Sequence, residues 1–233
     1  MGGQFTTDAG RNRYWRPEGK PPTPLAAGCY LARWQFHNTL IRPRIYLGQR
    51  SLTGVIARPT PTGLPVIDGM NPRLFSNNLL LPYLVAIWEE FHKCIFTALL
   101  RYSPRRPAVL KAARLPQDQL ESVAAGSTTI EDVLAESLSF QRPTNIAAHF
   151  RLLDQSLDLG ATLRKPYRRR KVTLFDSIEA LVEQRHSFVH SGAMDTNFSD
   201  KKLTAALGDF EVAGDRVYQR CADHYGWTAV RDF

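Results

Sequence analysis

Hydrophobic and polar positions fall into two textures along the chain. From Tyr30 they alternate, with Tyr30, Ala32, Trp34 and Phe36 interleaved with Leu31, Arg33, Gln35 and His37. Period-two alternation predicts a half-buried strand. Short apolar runs follow at Ile45-Tyr46-Leu47 and Val55-Ile56, punctuated by Gly48, Gly54, Pro59, Pro61, Gly63 and Pro65. That is strand-and-turn chemistry as far as about Asn71. Residues 1–28, rich in Gly, Thr, Pro and Arg, read as a flexible or extended lead-in. The expectation is a lead-in over 1–28 and an N-terminal segment of short strands and loops, of unassigned role, over 29–75.

After Pro72 the period lengthens. Leu80, Leu84, Ile87, Trp88, Phe91, Ile95, Ala98 and Leu99 recur at three-four spacing and predict a long buried helix from Leu79 to Leu100. Pro82 fits its first turn and Pro104 ends it. Thr128-Thr129-Ile130-Glu131 has the form of a capping box and predicts a helix through Leu138. Another is expected from about Thr144 to Leu157. Thr173, with Asp176 three places on, opens one reaching about His190, and Ser199 opens the last, reaching Tyr225. The reading is a mainly α protein whose residues 76–233 form a bundle of four or five helices.

Composition narrows the setting. Thirty Lys and Arg against 22 Asp and Glu give a net charge of +8 over 233 residues, and the pI is near 9.6. A basic surface suits a polyanionic partner, because neutralising phosphates releases counterions. No stretch approaches the roughly 18 apolar residues of a membrane span, so no membrane role is expected. The first thirty residues lack the basic-apolar-small order of a secretory leader. The three cysteines, Cys29, Cys94 and Cys221, are too scattered for a disulfide framework or a Cys-x-x-Cys metal site. A cytoplasmic setting is expected.

The chemistry concentrates in the helix from Thr173 to His190. Its apolar stripe runs through Leu174, Ile178, Leu181 and Val182, and the next step lands on Arg185. A guanidinium at a core position is costly unless it is paired or faces a cleft; snorkelling to solvent is the alternative. His186 and His190, four apart, share one helix face. The same spacing binds zinc in His-Glu-x-x-His motifs, but Ser187 stands in the Glu position and no third ligand lies nearby in sequence, so no metal is expected. A serine hydrolase is disfavoured by the lack of a Gly-x-Ser-x-Gly elbow. What an arginine and two imidazoles do supply is a base, an acid and a cation for cutting RNA through its own 2′-hydroxyl.

Arg185-x4-His190, preceded by Leu181-Val182-Glu183-Gln184 and followed by Ser191-Gly192, resembles the R-x(4–6)-H signature of the HEPN superfamily. Leu138-Ser139-Phe140-Gln141 with Asn145-Ile146 and Phe150 is similar to a second block of the ribonuclease-like HEPN families, and Trp88-Glu89-Glu90-Phe91 to a first. The likeness spans about residues 77–226. It implies an all-α domain that homodimerises so that two motif helices form one composite cleft. It also implies a metal-independent endoribonuclease, without cofactor, of the kind found in toxin–antitoxin, phage-defence and RNA-processing systems. Arg185 and His190 would be the catalytic pair, with His186 in a position commonly held by Asn, Asp or His. RNA, a second copy of the chain, and an antitoxin or defence-system protein are the implied partners. Residues 1–75 have no counterpart in the minimal domain. Some HEPN domains have lost catalysis and act as binding or dimerisation modules, so a non-catalytic RNA- or nucleotide-binding module is the alternative expectation. A nucleotide-binding accessory to a nucleotidyltransferase encoded next door is a third.

Just before the motif helix lies a basic run, Arg164, Lys165, Arg168, Arg169, Arg170 and Lys171, interrupted by Pro166 and Tyr167. Such a run is either a solvated linker or a phosphate contact beside the cleft. Arg168, Arg169, Arg170 and Lys171 are expected to touch RNA, with Tyr167 stacking on an unpaired base. Arg105-Arg106 is a weaker candidate.

Overall fold

The computed structural model describes residues 23–52 and 61–230. Ten helices account for the regular structure of those residues: α1 (Pro24–Leu52), α2 (Pro65–Gly69), α3 (Pro72–Tyr102), α4 (Arg106–Ala112), α5 (Gln117–Ala124), α6 (Ile130–Glu136), α7 (Pro143–Leu153), α8 (Leu159–Arg164), α9 (Leu174–Ser191) and α10 (Asp200–Tyr225). The centre is α3, which packs against α1, α6, α7, α9 and α10. Around it the aromatic side chains interlock. Phe36 meets Phe91 at 4.6 Å between ring centroids, Trp88 meets Phe210 at 5.6 Å, and Phe96 meets Phe140 at 5.2 Å. No helix among the described residues is long and apolar enough to cross a membrane.

The expected strand at Tyr30–His37 is a correction. Those residues, and Ile45-Tyr46-Leu47 after them, lie within α1. Their burial follows a helical period, through Ala26, Cys29, Tyr30, Arg33, Phe36, His37 and Leu40. The apolar stripe is interrupted because two inward positions are charged or polar. The Arg33 Nε lies 2.8 Å from Asp215 Oδ1, the His37 Nε2 lies 3.0 Å from the same oxygen, and the His37 Nδ1 lies 3.7 Å from Glu211. Burial alone would lower the His37 pKa, but hydrogen bonds to Asp215 and Glu211 outweigh it and raise the value. The expected boundary at residue 76 falls inside α3, and α1 shares the core with α3 and α10. Of the expected lead-in, residues 24–28 are helical; residues 1–22 lie outside the described residues, as do Gly54, Val55, Ile56 and Pro59.

Helix boundaries differ in instructive ways. The start of α3 is Pro72 rather than Leu79, capped by Asn71, whose Oδ1 accepts from the Arg73 N–H at 2.9 Å. Its early turns hide buried Asn77 and Asn78, and Pro82 sits in its interior. The cap of α6 is Thr129, one residue later than expected: its hydroxyl accepts from the Asp132 N–H. Glu131, freed from capping, accepts from Arg106 Nε at 2.6 Å. The expected helix to Leu157 stops at Leu153, and α8 follows after a turn. Both α9 and α10 open as expected, at the caps Thr173 and Ser199.

Candidate active site

The motif helix α9 is fixed at both ends. The Thr173 hydroxyl accepts from the Asp176 N–H and donates to the Asp176 carboxylate at 2.7 Å. At the other end Gly192 adopts a left-handed conformation (φ 68°), which glycine reaches without a Cβ clash, and donates its N–H to Phe188 O. Leu174, Phe175, Ile178 and Val182 are buried. Arg185 continues that inward stripe and is half-buried. Its Nη1 lies 3.5 Å from Gln141 Oε1, at the limit of a hydrogen bond, and its Nε is enclosed without a partner.

Gln141 is itself positioned from α3. Its Nε2 donates to Glu89 Oε2 at 2.9 Å, and its carbonyl accepts from Trp88 Nε1 at 3.1 Å. Glu89 also accepts from the Phe140 N–H through its second oxygen. The three segments singled out in the sequence, Trp88-Glu89, Phe140-Gln141 and Arg185, therefore meet at one place. In the segment after Gln141, Ile146 and Phe150 are buried in the core beneath it.

The outward face of α9 carries Glu179, Glu183, His186 and His190, at steps of four, three and four, so they lie along one side of the helix. His186 and His190 are exposed, with ring centroids 4.2 Å apart. Arg142, the residue capping α7, bridges to both glutamates, and Glu179 accepts from the Thr144 N–H at 2.8 Å and from its hydroxyl. The Arg142 guanidinium holds the Glu183 carboxyl below its ordinary range. No hydrogen bond joins Arg185 to either histidine among the described residues, since one turns inward and the others face solvent. Beside the histidines an apolar patch is open: Phe75, Leu79 and Val189 are 47%, 50% and 48% exposed, and Phe188 packs edge-on to Phe75 at 6.1 Å.

The basic run is not beside this face. Arg170 pairs through both guanidinium nitrogens with Asp209, a buried carboxylate that also accepts from Ser177 Oγ at 2.6 Å. Ser177 lies in the first turn of α9, and the thirteen residues from there to His190 span roughly 20 Å of helix. Tyr167 is 9% exposed and ringed by the guanidinium groups of Arg168, Arg170 and Arg216 at 4.9, 5.7 and 5.6 Å from its centroid. Arg164 lies 3.5 Å over the Phe175 ring. Arg168, Arg169 and Lys171 are exposed. Arg105 and Arg106 hold Arg151 O and Glu131, away from the motif.

Arg142 escaped the sequence reading, and Glu89 and Glu183 were named there only as parts of the resembling segments, without a role. Glu179 and Glu183 were legible as helical steps before His186; the reach of Arg142 and Glu89 across helices has no sequence signal. Among the described residues no cluster of three or more His, Cys, Asp and Glu side chains is placed to hold a metal ion. Comparison with protein-family models, curated proteins and solved structures finds no match to this chain.

Proposed function

We propose that the protein is a metal-independent endoribonuclease of HEPN type, cutting RNA at a cleft shared by two copies of the chain. The observation that carries this reading is the meeting of Arg185 with Gln141 and Glu89, three positions drawn from separate segments that each resemble the family. Support for two copies comes from the geometry of α9. Residues five apart on a helix point about 140° away from each other, so Arg185 and His190 of one chain converge poorly. The open apolar patch of Phe75, Leu79 and Val189 borders the histidines and gives a two-fold partner something to bury.

In the proposed reaction one imidazole takes the proton of an RNA 2′-hydroxyl as its oxygen attacks the adjacent phosphorus. The bond from phosphorus to the 5′-oxygen breaks, and a second imidazole returns a proton to that oxygen. The Arg185 guanidinium offsets the charge building on the non-bridging oxygens. The products are a 2′,3′-cyclic phosphate and a 5′-hydroxyl. A toxin or phage-defence role rests on the family resemblance.

The test is an RNA cleavage assay in EDTA with end-group analysis. Wild type should cut and leave the cyclic phosphate; Arg185→Ala and His190→Ala should each lower the rate by at least about a hundredfold, and His186→Ala by less. Mixing the first two variants should regain activity if the Arg and His of one site come from different chains. Folded variants that cut normally would refute the assignment, and a wild type that binds RNA without cutting it would make this a binding module.

A further inference from the structure

An open cleft of about 750 Å³ lies between α1, the segment before α9, and α10, one end of it tied to the start of α9 where Asp209 accepts from Ser177. Four cations line it, Arg44, Arg168, Arg170 and Lys201, against one carboxylate, Asp209, which Arg170 and Ser177 already satisfy. Arg44 is engaged by Glu211. Arg168 and Lys201 have no carboxylate within ion-pair distance among the described residues, and both are exposed.

Two further features keep the cleft open and its cations in place. Gly48 of α1 and Gly208 of α10 line it, and a Cβ at either would meet nothing within 4 Å. Neither packing nor backbone requires glycine there, although glycine weakens a helix interior relative to alanine; what it leaves is room. Arg168 is the one non-glycine residue at positive φ (53°) among the described residues. Its loop is pinned by Arg216, which donates to Lys165 O at 2.8 Å and to Pro166 O at 2.7 Å. The strained backbone holds the Arg168 guanidinium 4.9 Å from the Tyr167 ring centroid, at the cleft. Strain of this kind persists only where the surroundings impose it. Tyr167 thus serves as a shelf for cations rather than for a base, and what the cleft offers a ligand is guanidinium and ammonium groups.

We propose that this cleft is a second RNA-contacting site, in which Arg168 and Lys201 hold backbone phosphates of the strand, the Arg170–Asp209–Ser177 end of the cleft lying roughly 20 Å along α9 from His190. As a site for the same RNA it rests on the nuclease reading, but it is tested apart from cleavage. The probe is a labelled RNA carrying 2′-O-methyl groups throughout, which cannot undergo internal attack, titrated by fluorescence anisotropy over a range of salt. Each phosphate contact on a single strand contributes about 0.7 to the slope of log affinity against log salt, so Arg168→Gly with Lys201→Ala should flatten it by about 1.4. Affinity should fall at least about tenfold at low salt. Arg168→Gly alone should raise the melting temperature while weakening binding, because glycine accepts positive φ without strain. A purely structural arginine would not separate the two.

In cleavage, the double variant should cut a dinucleotide, too short to span from His190 to the Arg168 end of the cleft, as wild type does, and should show a raised KM only for long RNA. An unchanged salt slope, or no binding of the probe by wild type, overturns the proposal. If long and short RNAs are cut alike by variant and wild type, the cleft assignment fails and the nuclease reading stands. If wild type cuts neither RNA yet the slope falls, the nuclease reading fails and the cleft stands.

Discussion

Replacing His92 with phenylalanine tests how α3 supports the site. His92 is completely buried among Trp88, Phe91 and Phe150, at ring separations of 4.0, 4.9 and 6.2 Å. Its Nδ1 lies 2.8 Å from Trp88 O; a carbonyl only accepts, so that nitrogen carries the proton. Its Nε2 is without a partner. Burial pushes the imidazole down to about 3, the backbone bond to Trp88 opposing only in part. In the unfolded chain it returns to about 6.5. Between those values the unfolded state binds a proton that the native state refuses, so stability is lost as pH falls below about 6.5, by up to about 1.4 kcal/mol per pH unit. At a pH of about 4.5 the loss reaches about 2.7 kcal/mol; above about pH 7.5 it is negligible. His92→Phe removes that liability, and costs about 1 kcal/mol at every pH for the missing hydrogen bond. Urea unfolding of both proteins at the two pH values should therefore show curves that cross. The variant should be slightly weaker near neutrality and more stable by about 1–2 kcal/mol in acid. Carboxylates that titrate in the same range are common to both proteins and drop out of the difference. Equal losses of stability on acidification would refute the buried, neutral imidazole. Trp88, against which His92 packs, holds the Gln141 carbonyl through its indole N–H, so His92 backs the residue that supports Arg185.

Two glycines of α10 should respond in opposite directions to alanine. A Cβ at Gly214 would stand 2.5 Å from Phe36 Cε1 in the core, so Gly214→Ala should lose about 1–3 kcal/mol. Gly208→Ala meets nothing and should gain about 0.5–1 kcal/mol, read as melting temperatures; the same sign for both would refute the packing described. Asp209→Ala strands Arg170 and Ser177 and should cost about 2–3 kcal/mol in urea unfolding, and a loss below about 0.5 kcal/mol would show the pair to be idle. Arg142→Ala should let the Glu183 carboxyl titrate at higher pH, because the lowered value depends on that guanidinium; NMR titration showing no movement would refute the bridge.

What was legible in the sequence was local. Thr173 with Asp176, and Ser199 at the head of a long stripe, carry their own capping chemistry, and α9 and α10 begin where those residues say. The motif positions were legible because Arg185 breaks an apolar stripe and the histidines stand one turn apart. Where tertiary contacts decide, the pattern misled. The inward positions Arg33 and His37 in α1 are satisfied by carboxylates about 180 residues away, so the helix carries no clean apolar stripe and its aromatics happen to alternate. Pro43 and Pro82 sit inside helices that packing sustains, although proline reads as a boundary. The basic run precedes the motif helix in sequence, but adjacency along a rod puts it at the wrong end.

The clasp between Arg33 and Asp215 also sets an order of events during synthesis. The two partners are separated by 182 residues, which a ribosome takes roughly 10–40 s to add. Through that interval α1 has been made but has neither the carboxylates of α10 for its Arg33 and His37 nor Gly214 to receive Phe36. The central helix α3 emerges early and can pack on α1, Ala98 against Gly28 and Phe91 against Phe36, yet the bundle cannot close until α10 arrives. The proposed cutting surface, bounded by α3, α7 and α9, is therefore completed late. Under the proposed nuclease activity, a nascent chain stays disarmed by its own topology for most of the time it spends on the ribosome whose RNA surrounds it.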